Sequence, residues 1–221
     1  PEWAGLETEV GEIKGKLGLS TADEALFLIQ GLNAHNIFPD WIALNNGTTH
    51  GIEASDQGIQ VELTADIHNK LADYKISGAQ HGTSGNSSER LKEIAQKTHT
   101  TKANVATALQ MLSWGLEVND YGNAILDDNG NFKKVKDAGV TEAMWKSMVE
   151  HAEAQGWKGG NYKKLNLPFE IVLQAQAKEV RERMSKRVEE FVYNMIVNVF
   201  DGQGTAKIGK ELILQQNSHD L

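Results

Sequence analysis

The sequence predicts an α/β fold organised on a parallel sheet, and three observations carry that expectation. Strand-like runs begin near residues 6, 41, 76 and 101, with a helix-like segment between each pair. A strand–helix–strand repeat of roughly 25–35 residues is the signature of βα units. Two strand runs also exit into loops of the same design. Trp41-Ile42-Ala43-Leu44 leads into Asn45-Asn46-Gly47-Thr48-Thr49-His50-Gly51, and Ile76-Ser77-Gly78-Ala79-Gln80 into His81-Gly82-Thr83-Ser84-Gly85. In a parallel βα array the loops at the strand C-terminal ends form the functional face, so both His-Gly pairs belong there.

The first strand is read from alternation: Leu6, Thr8 and Val10 share one face, Glu7 and Glu9 the other. A Gly/Lys-rich loop follows. Ser20-Thr21-Ala22-Asp23-Glu24 is a helix start, with a hydroxyl cap and acid in the first turn. That helix carries Ala25, Leu28, Ile29 and Leu32. A second helix spans Glu62 to Leu71, and Asn86-Ser87-Ser88-Glu89 caps a third. Thr100 to Thr107 contains a fourth short strand, and Ala108 to Trp114 turns helical.

Beyond Gly115 the pattern changes. Residues 119–139 are polar and read as a loop, Thr141 to Gln155 as a helix and Gly156 to Leu167 as a loop. From Phe169 to Phe200 apolar residues recur every three or four positions, which predicts one long amphipathic helix packed on a domain or a second subunit. A polar tail closes the chain. We therefore expect a barrel-like unit over residues 1–118 and a helical extension over 119–221 that completes the same domain.

Composition narrows the function. The chain has 221 residues and no cysteine, which excludes disulfides and thiolate metal sites and leaves His, Asp and Glu as metal donors. The net charge of −8 argues against a nucleic-acid partner, because phosphate backbones need a basic face. No apolar run approaches the ~20 residues of a membrane helix. The start, Pro1-Glu2-Trp3, lacks the basic and apolar regions of a signal peptide. A cytoplasmic protein is the simplest expectation.

His50 and His81 are the first site candidates, as metal ligands converging from adjacent units; the competing reading is two unrelated loop histidines. Gly51, Gly82, Gly85, Ser84, Thr107 and the helix start at Asn86-Ser87-Ser88 read either as a phosphate cradle or as ordinary turn and cap chemistry. Glu7 and Glu9 are either paired or cation-bound inside a barrel, or face solvent on an edge strand. Glu9, nearer the strand's C-terminal end, is the better candidate of the two.

At these residues the sequence resembles the class II, metal-dependent ketose-bisphosphate aldolases, best known as fructose-bisphosphate aldolases. Asn46-Gly47-Thr48-Thr49-His50-Gly51 is similar to their Gly-Thr-x-His-Gly loop, and His81-Gly82-Thr83-Ser84-Gly85 to their His-Gly-x-Ser-Gly loop. Leu6-Glu7-Thr8-Glu9-Val10-Gly11 resembles the Leu-Glu-x-Glu-x-Gly strand, and Lys102 to Thr107 the Lys-x-Asn-x-x-Thr strand. Four motifs in order cover residues 5–110; the remainder matches the family's helical extension loosely.

The resemblance implies a TIM-type (β/α)8 barrel, of which the four units here correspond to strands five to eight, the C-terminal half. It implies zinc, or another divalent ion, held by three His, with His50 and His81 as two of them and Glu9 as a nearby carboxylate. Gly51, Gly82 and Ser84 match the phosphate cradle, Asn104 and Thr107 substrate-binding positions. The third His and the Asp acting as general acid/base belong to the half without a counterpart here. Two departures stand out: Ala106 replaces an Asp, and Gly11-Glu12-Ile13-Lys14 replaces a Gly-Glu-Glu loop. The implied reaction is reversible aldol cleavage of a phosphorylated ketose, such as fructose 1,6-bisphosphate, to dihydroxyacetone phosphate and an aldehyde. The alternatives are a related aldolase of different substrate, or a non-catalytic half-barrel that binds metal or phosphate and assembles with another chain. Four units leave two open sheet edges, so a homo-oligomer is expected.

Overall fold

The architecture comes from a computed structural model, described here for residues 5–11, 18–47, 58–120 and 122–215. Four short strands follow one another in a single parallel sheet: β1 (Glu7–Val10), β2 (Trp41–Leu44), β3 (Ser77–Gln80) and β4 (Thr100–Ala103). β1 and β2 pair in register from Glu7–Trp41 to Val10–Leu44, and Trp41 in turn opposes Ser77 of β3. Between strands run α1 (Ala22–Ala34), α2 (Val61–Lys70) and α3 (Ser88–Lys97). This is the expected βα array.

Alternation decides which side of each strand meets the helices. Ile42 and Leu44 of β2 face outward and pack with Ile76 against Ala25 and Ile29 of α1 and Ile67 of α2. Each such large apolar side chain contributes about 2 kcal/mol on burial. α1 starts where the sequence predicts: Thr21 Oγ1 accepts from Glu24 N–H at 3.3 Å, and the Glu24 carboxylate accepts from Thr21 N–H at 2.9 Å. The reciprocal cap satisfies two amides that a helix N-terminus otherwise leaves unpaired.

After β4 come five further α-helices among the described residues: α4 (Thr107–Trp114), α5 (Glu142–Ala154), α6 (Asn166–Gln174), α7 (Lys178–Asn194) and α8 (Thr205–Gln215). Met111 and Trp114 of α4 share a core with Trp145 and Met148 of α5, Leu165 and Leu173. A third cluster joins Leu91 and Ile94 of α3 to Met195 and Val199, so the turn after α7 packs back on the βα array.

Three expectations for this region need correction. The single helix over 169–200 is interrupted: α6 ends at Gln174, Ala177 is extended at φ −52° and ψ 150°, and α7 begins at Lys178. Met195–Val199 then forms a π-helical turn. The apolar stripe keeps its period across the break, and neither Gly nor Pro marks it, so periodicity alone runs the two helices together. The polar tail also contains α8, whose Ile208 and Leu212 are exposed. Finally, residues 119–139 are more than a loop: the bridges Val118–Ala124, Leu126–Phe132 and Leu116–Lys134 stack three extended passes. No helix among the described residues is long and apolar enough to cross a membrane.

Candidate active site

The inner face of the sheet carries the polar side chains. Gly78 of β3 faces outward, since a Cβ there would lie 2.2 Å from His68 Cε1 on α2. Ala79 therefore faces inward. β4 breaks its alternation opposite this point: Gly78 pairs with Thr100 but Ala79 pairs with Lys102, leaving Thr101 as an extra, bulged residue. Strict alternation would put Lys102 and Asn104 outward with Thr100. The bulge turns both to the inner face, a common use of bulges beside functional sites.

These residues meet across the sheet. His81 Nε2 lies 2.5 Å from Glu7 Oε1. Lys102 Nζ donates to Glu7 Oε2 in a short ion pair. Asn104 Nδ2 donates to Glu7 Oε1 at 3.3 Å and lies 2.6 Å from His81 Nε2. One ring nitrogen cannot serve both neighbours. An ionised carboxylate only accepts, so Nε2 carries the proton and gives it to Glu7. Burial works to raise the Glu7 pKa, but hydrogen bonds from Lys102 and His81, with their charges, outweigh it and hold the carboxyl below its ordinary range.

Above this cluster lies a cavity of about 460 Å³ lined by His81, Gly82, Ser84, Asn104, Ala106 and Thr107, among others. Five of the residues singled out in the sequence thus share one cavity from two strand exits. Asn86 ties the surrounding loops: its Nδ2 donates to Gly82 O at 2.9 Å, and its Oδ1 accepts from Ile59 N–H at 3.3 Å. Ser87, not Asn86, caps α3, accepting from Arg90 N–H at 3.2 Å. The helix start is therefore an ordinary cap as well as a wall of the loop.

Glu9 is exposed and borders a cleft formed with α1, apart from the cavity. The structure brings Glu7, rather than Glu9, to His81. Alternation places both carboxylates inward, but only Glu7 lies across from Lys102. Lys102 and Trp41 carry no site signal in the sequence, because the bulge that aims Lys102 inward leaves no mark there. His50 and Gly51 lie outside the described residues.

The His81 imidazole and Glu7 carboxylate suit a divalent ion in kind. They fall short in number: among the described residues no group of three His, Cys, Asp or Glu is placed to hold a metal.

The sequence matches the family described as fructose-bisphosphate aldolase class-II over residues 4–193. No curated protein matches it in sequence. In structure it is similar to a protein assigned as a fructose-1,6-bisphosphate aldolase from Coccidioides immitis, with 17% identity and a TM-score of 0.52, covering 92% of this chain and 54% of that one. It is also similar to the YdjI aldolase of Escherichia coli K12, with 17% identity and a TM-score of 0.47 over 91% of this chain and 51% of that one. For the fructose-bisphosphate aldolase of Campylobacter jejuni the values are 16%, 0.46, 90% and 52%. The chain thus spans about half the length of the aldolases it resembles.

Proposed function

We propose that this chain, which belongs to the class II fructose-bisphosphate aldolase family, carries the phosphate-binding and part of the metal-binding side of an aldolase site. The reaction we assign is reversible aldol cleavage of a phosphorylated ketose, such as fructose 1,6-bisphosphate, to dihydroxyacetone phosphate and an aldehyde. The observation behind it is the convergence of His81, Gly82, Ser84, Asn104 and Thr107 on one cavity at the strand C-terminal ends.

In this reading the Gly82 amide and the Ser84 hydroxyl hold the ketose phosphate, and Asn104 and Thr107 orient its hydroxyls. His81, together with His50 and Gly51 on the neighbouring loop, completes this chain's share. Zinc or another divalent ion held by the two histidines would supply Lewis-acid polarisation of the ketose carbonyl. Glu9, two residues on from Glu7 but bordering the α1 cleft apart from the cavity, is the reserve carboxylate in this reading. No carboxylate among the described residues lines the cavity, and Glu7 is already engaged by Lys102 and His81. In this reading the general acid/base comes from strands beyond these four, the chain corresponding to the latter half of a barrel with 119–221 as its extension.

The two open edges, β1 and β4, support a second reading: a non-catalytic half-barrel that binds metal or phosphate and pairs with another chain, including a copy of itself. Zinc titration, followed by aldol-cleavage assays of this chain alone and with a segment supplying the other four strands, tests both. We expect binding that needs His81 and cleavage only in the combined protein. Zinc binding unchanged by His81→Ala, with cleavage in neither form, would refute the aldolase assignment. Sedimentation as a monomer would count against the self-paired half-barrel. A phosphorylated metabolite as substrate places the protein most simply in the cytoplasm.

A further inference from the structure

The contact between Glu7 and Lys102 joins the first and last strands of the sheet, which share no backbone hydrogen bond. It exists only because the β4 bulge rotates Lys102 inward, opposite Ala79. Trp41 fixes the same spot from β2. Its indole Nε1–H donates to Oγ1 of the bulged Thr101 at 3.0 Å, and its ring lies 5.3 Å from Lys102 Nζ. Lys102 is thus held by a carboxylate on one side and an aromatic face on the other. One Glu7 oxygen takes Lys102 and the other takes His81 Nε2. The His81 end also accepts from Asn104, and a turn of the carboxylate breaks the contacts at both ends.

We propose that Lys102 and Glu7 are positioning residues: Lys102 pins the Glu7 carboxylate across the sheet so that Glu7 fixes the ring orientation and the Nε2–H tautomer of His81. The proposal rests on the reading of His81 as a site residue, but its first readout does not. Ligating histidines depend on such outer partners, whose loss costs about 10–100-fold in metal affinity. Trp41 and the Thr101 bulge aim the lysine.

The test is ¹⁵N NMR of the histidine side chains in the full chain without metal, followed by zinc titration. In the unaltered protein the His81 ring nitrogens should show a single Nε2–H tautomer. Lys102→Met and Glu7→Gln should mix the tautomers and weaken zinc binding about tenfold, while Lys102→Arg restores the unaltered spectrum. Circular dichroism and a urea midpoint identify variants that fail to fold, and Trp41→Phe, which keeps the ring but loses the Thr101 hydrogen bond, gives a milder second variant with a partial shift. Unchanged His81 signals in folded Lys102→Met would overturn the proposal, whatever the metal does. Loss of the tautomer preference with zinc affinity untouched, even in His81→Ala, would instead leave positioning intact and sink the proposed function.

Discussion

Asn46 and Gln80 exchange side-chain hydrogen bonds across the exits of β2 and β3. Asn46 Nδ2 donates to Gln80 Oε1 at 2.8 Å, and Gln80 Nε2 donates back to Asn46 Oδ1 at 3.3 Å. Both side chains are almost fully buried, at 2% and 3% exposure. Asn46 also donates to Thr64 Oγ1, and Gln80 to the carbonyl of His81. The pair therefore ties together the two loops that carry the His-Gly motifs. Removing one buried amide leaves its partner unsatisfied, at about 1–3 kcal/mol. Gln80→Leu should lower the urea-unfolding free energy by that amount. Asn46→Leu with Gln80→Leu should cost less than the sum of the single changes, because the second substitution removes the orphan left by the first. Additive losses would show that the two amides act independently.

His68 on α2 sets an acid limit on stability. Its ring is 3% exposed, and neither nitrogen has a hydrogen-bond partner. Burial, reinforced by the charge of nearby His99, lowers its pKa from 6.5 to about 4. The folded state keeps the ring neutral, whereas the unfolded chain takes up a proton near pH 6.5. The stabilising contribution is therefore complete above about pH 6.5 and is lost progressively as pH falls towards 4. The gap between those values converts to about 3 kcal/mol. Urea midpoints between pH 4 and 8 should fall more steeply for the unaltered chain than for His68→Leu. Parallel curves would mean that protonated His68 is tolerated in the fold.

The four strands and the helices between them were legible because each is a short run with a clear period and a clear stop. Thr21 with Glu24, and Ser87 ahead of Arg90, are local signals that the structure reproduces as caps. That His81, Gly82 and Ser84 line one cavity follows from the βα order, whereas Asn104 is singled out only by the family resemblance. What stayed hidden depends on register between strands. The sequence of β4 does not say that Thr101 is skipped, so it cannot say that Lys102 faces Glu7. Preference for Glu9 over Glu7 rested on distance along one strand, while the contact with His81 is set by distance across four. The break between α6 and α7 was hidden for another reason: Ala175 to Ala177 are good helix formers, so no local signal marks the stop.

The helical extension is anchored where two chain passes touch. Gly115, at the C-cap of α4, and Gly139 lie so close that a Cβ on Gly139 would sit 2.2 Å from Gly115 N and 2.4 Å from Trp114 C. Both glycines are left-handed, at φ +83° and +59°. Around them, Lys134 Nζ donates to the Ala138 carbonyl, and Arg187 Nη1 of α7 donates to Leu116 O at 2.8 Å. Gly139→Ala therefore meets backbone, which cannot move aside, as well as the strain of a left-handed residue, about 1–2 kcal/mol. Gly130 is a control with the same backbone demand: it has φ +81°, and a Cβ there meets nothing within 4 Å. Gly130→Ala should cost only that strain, about 1–2 kcal/mol. Gly139→Ala should cost at least about 3 kcal/mol, with loss of the near-UV dichroism of Trp114 and Trp145, which pack 6.1 Å apart just below the crossing. Equal losses for the two variants would mean that the passes can separate, and that the extension is held to the βα array by its apolar core alone.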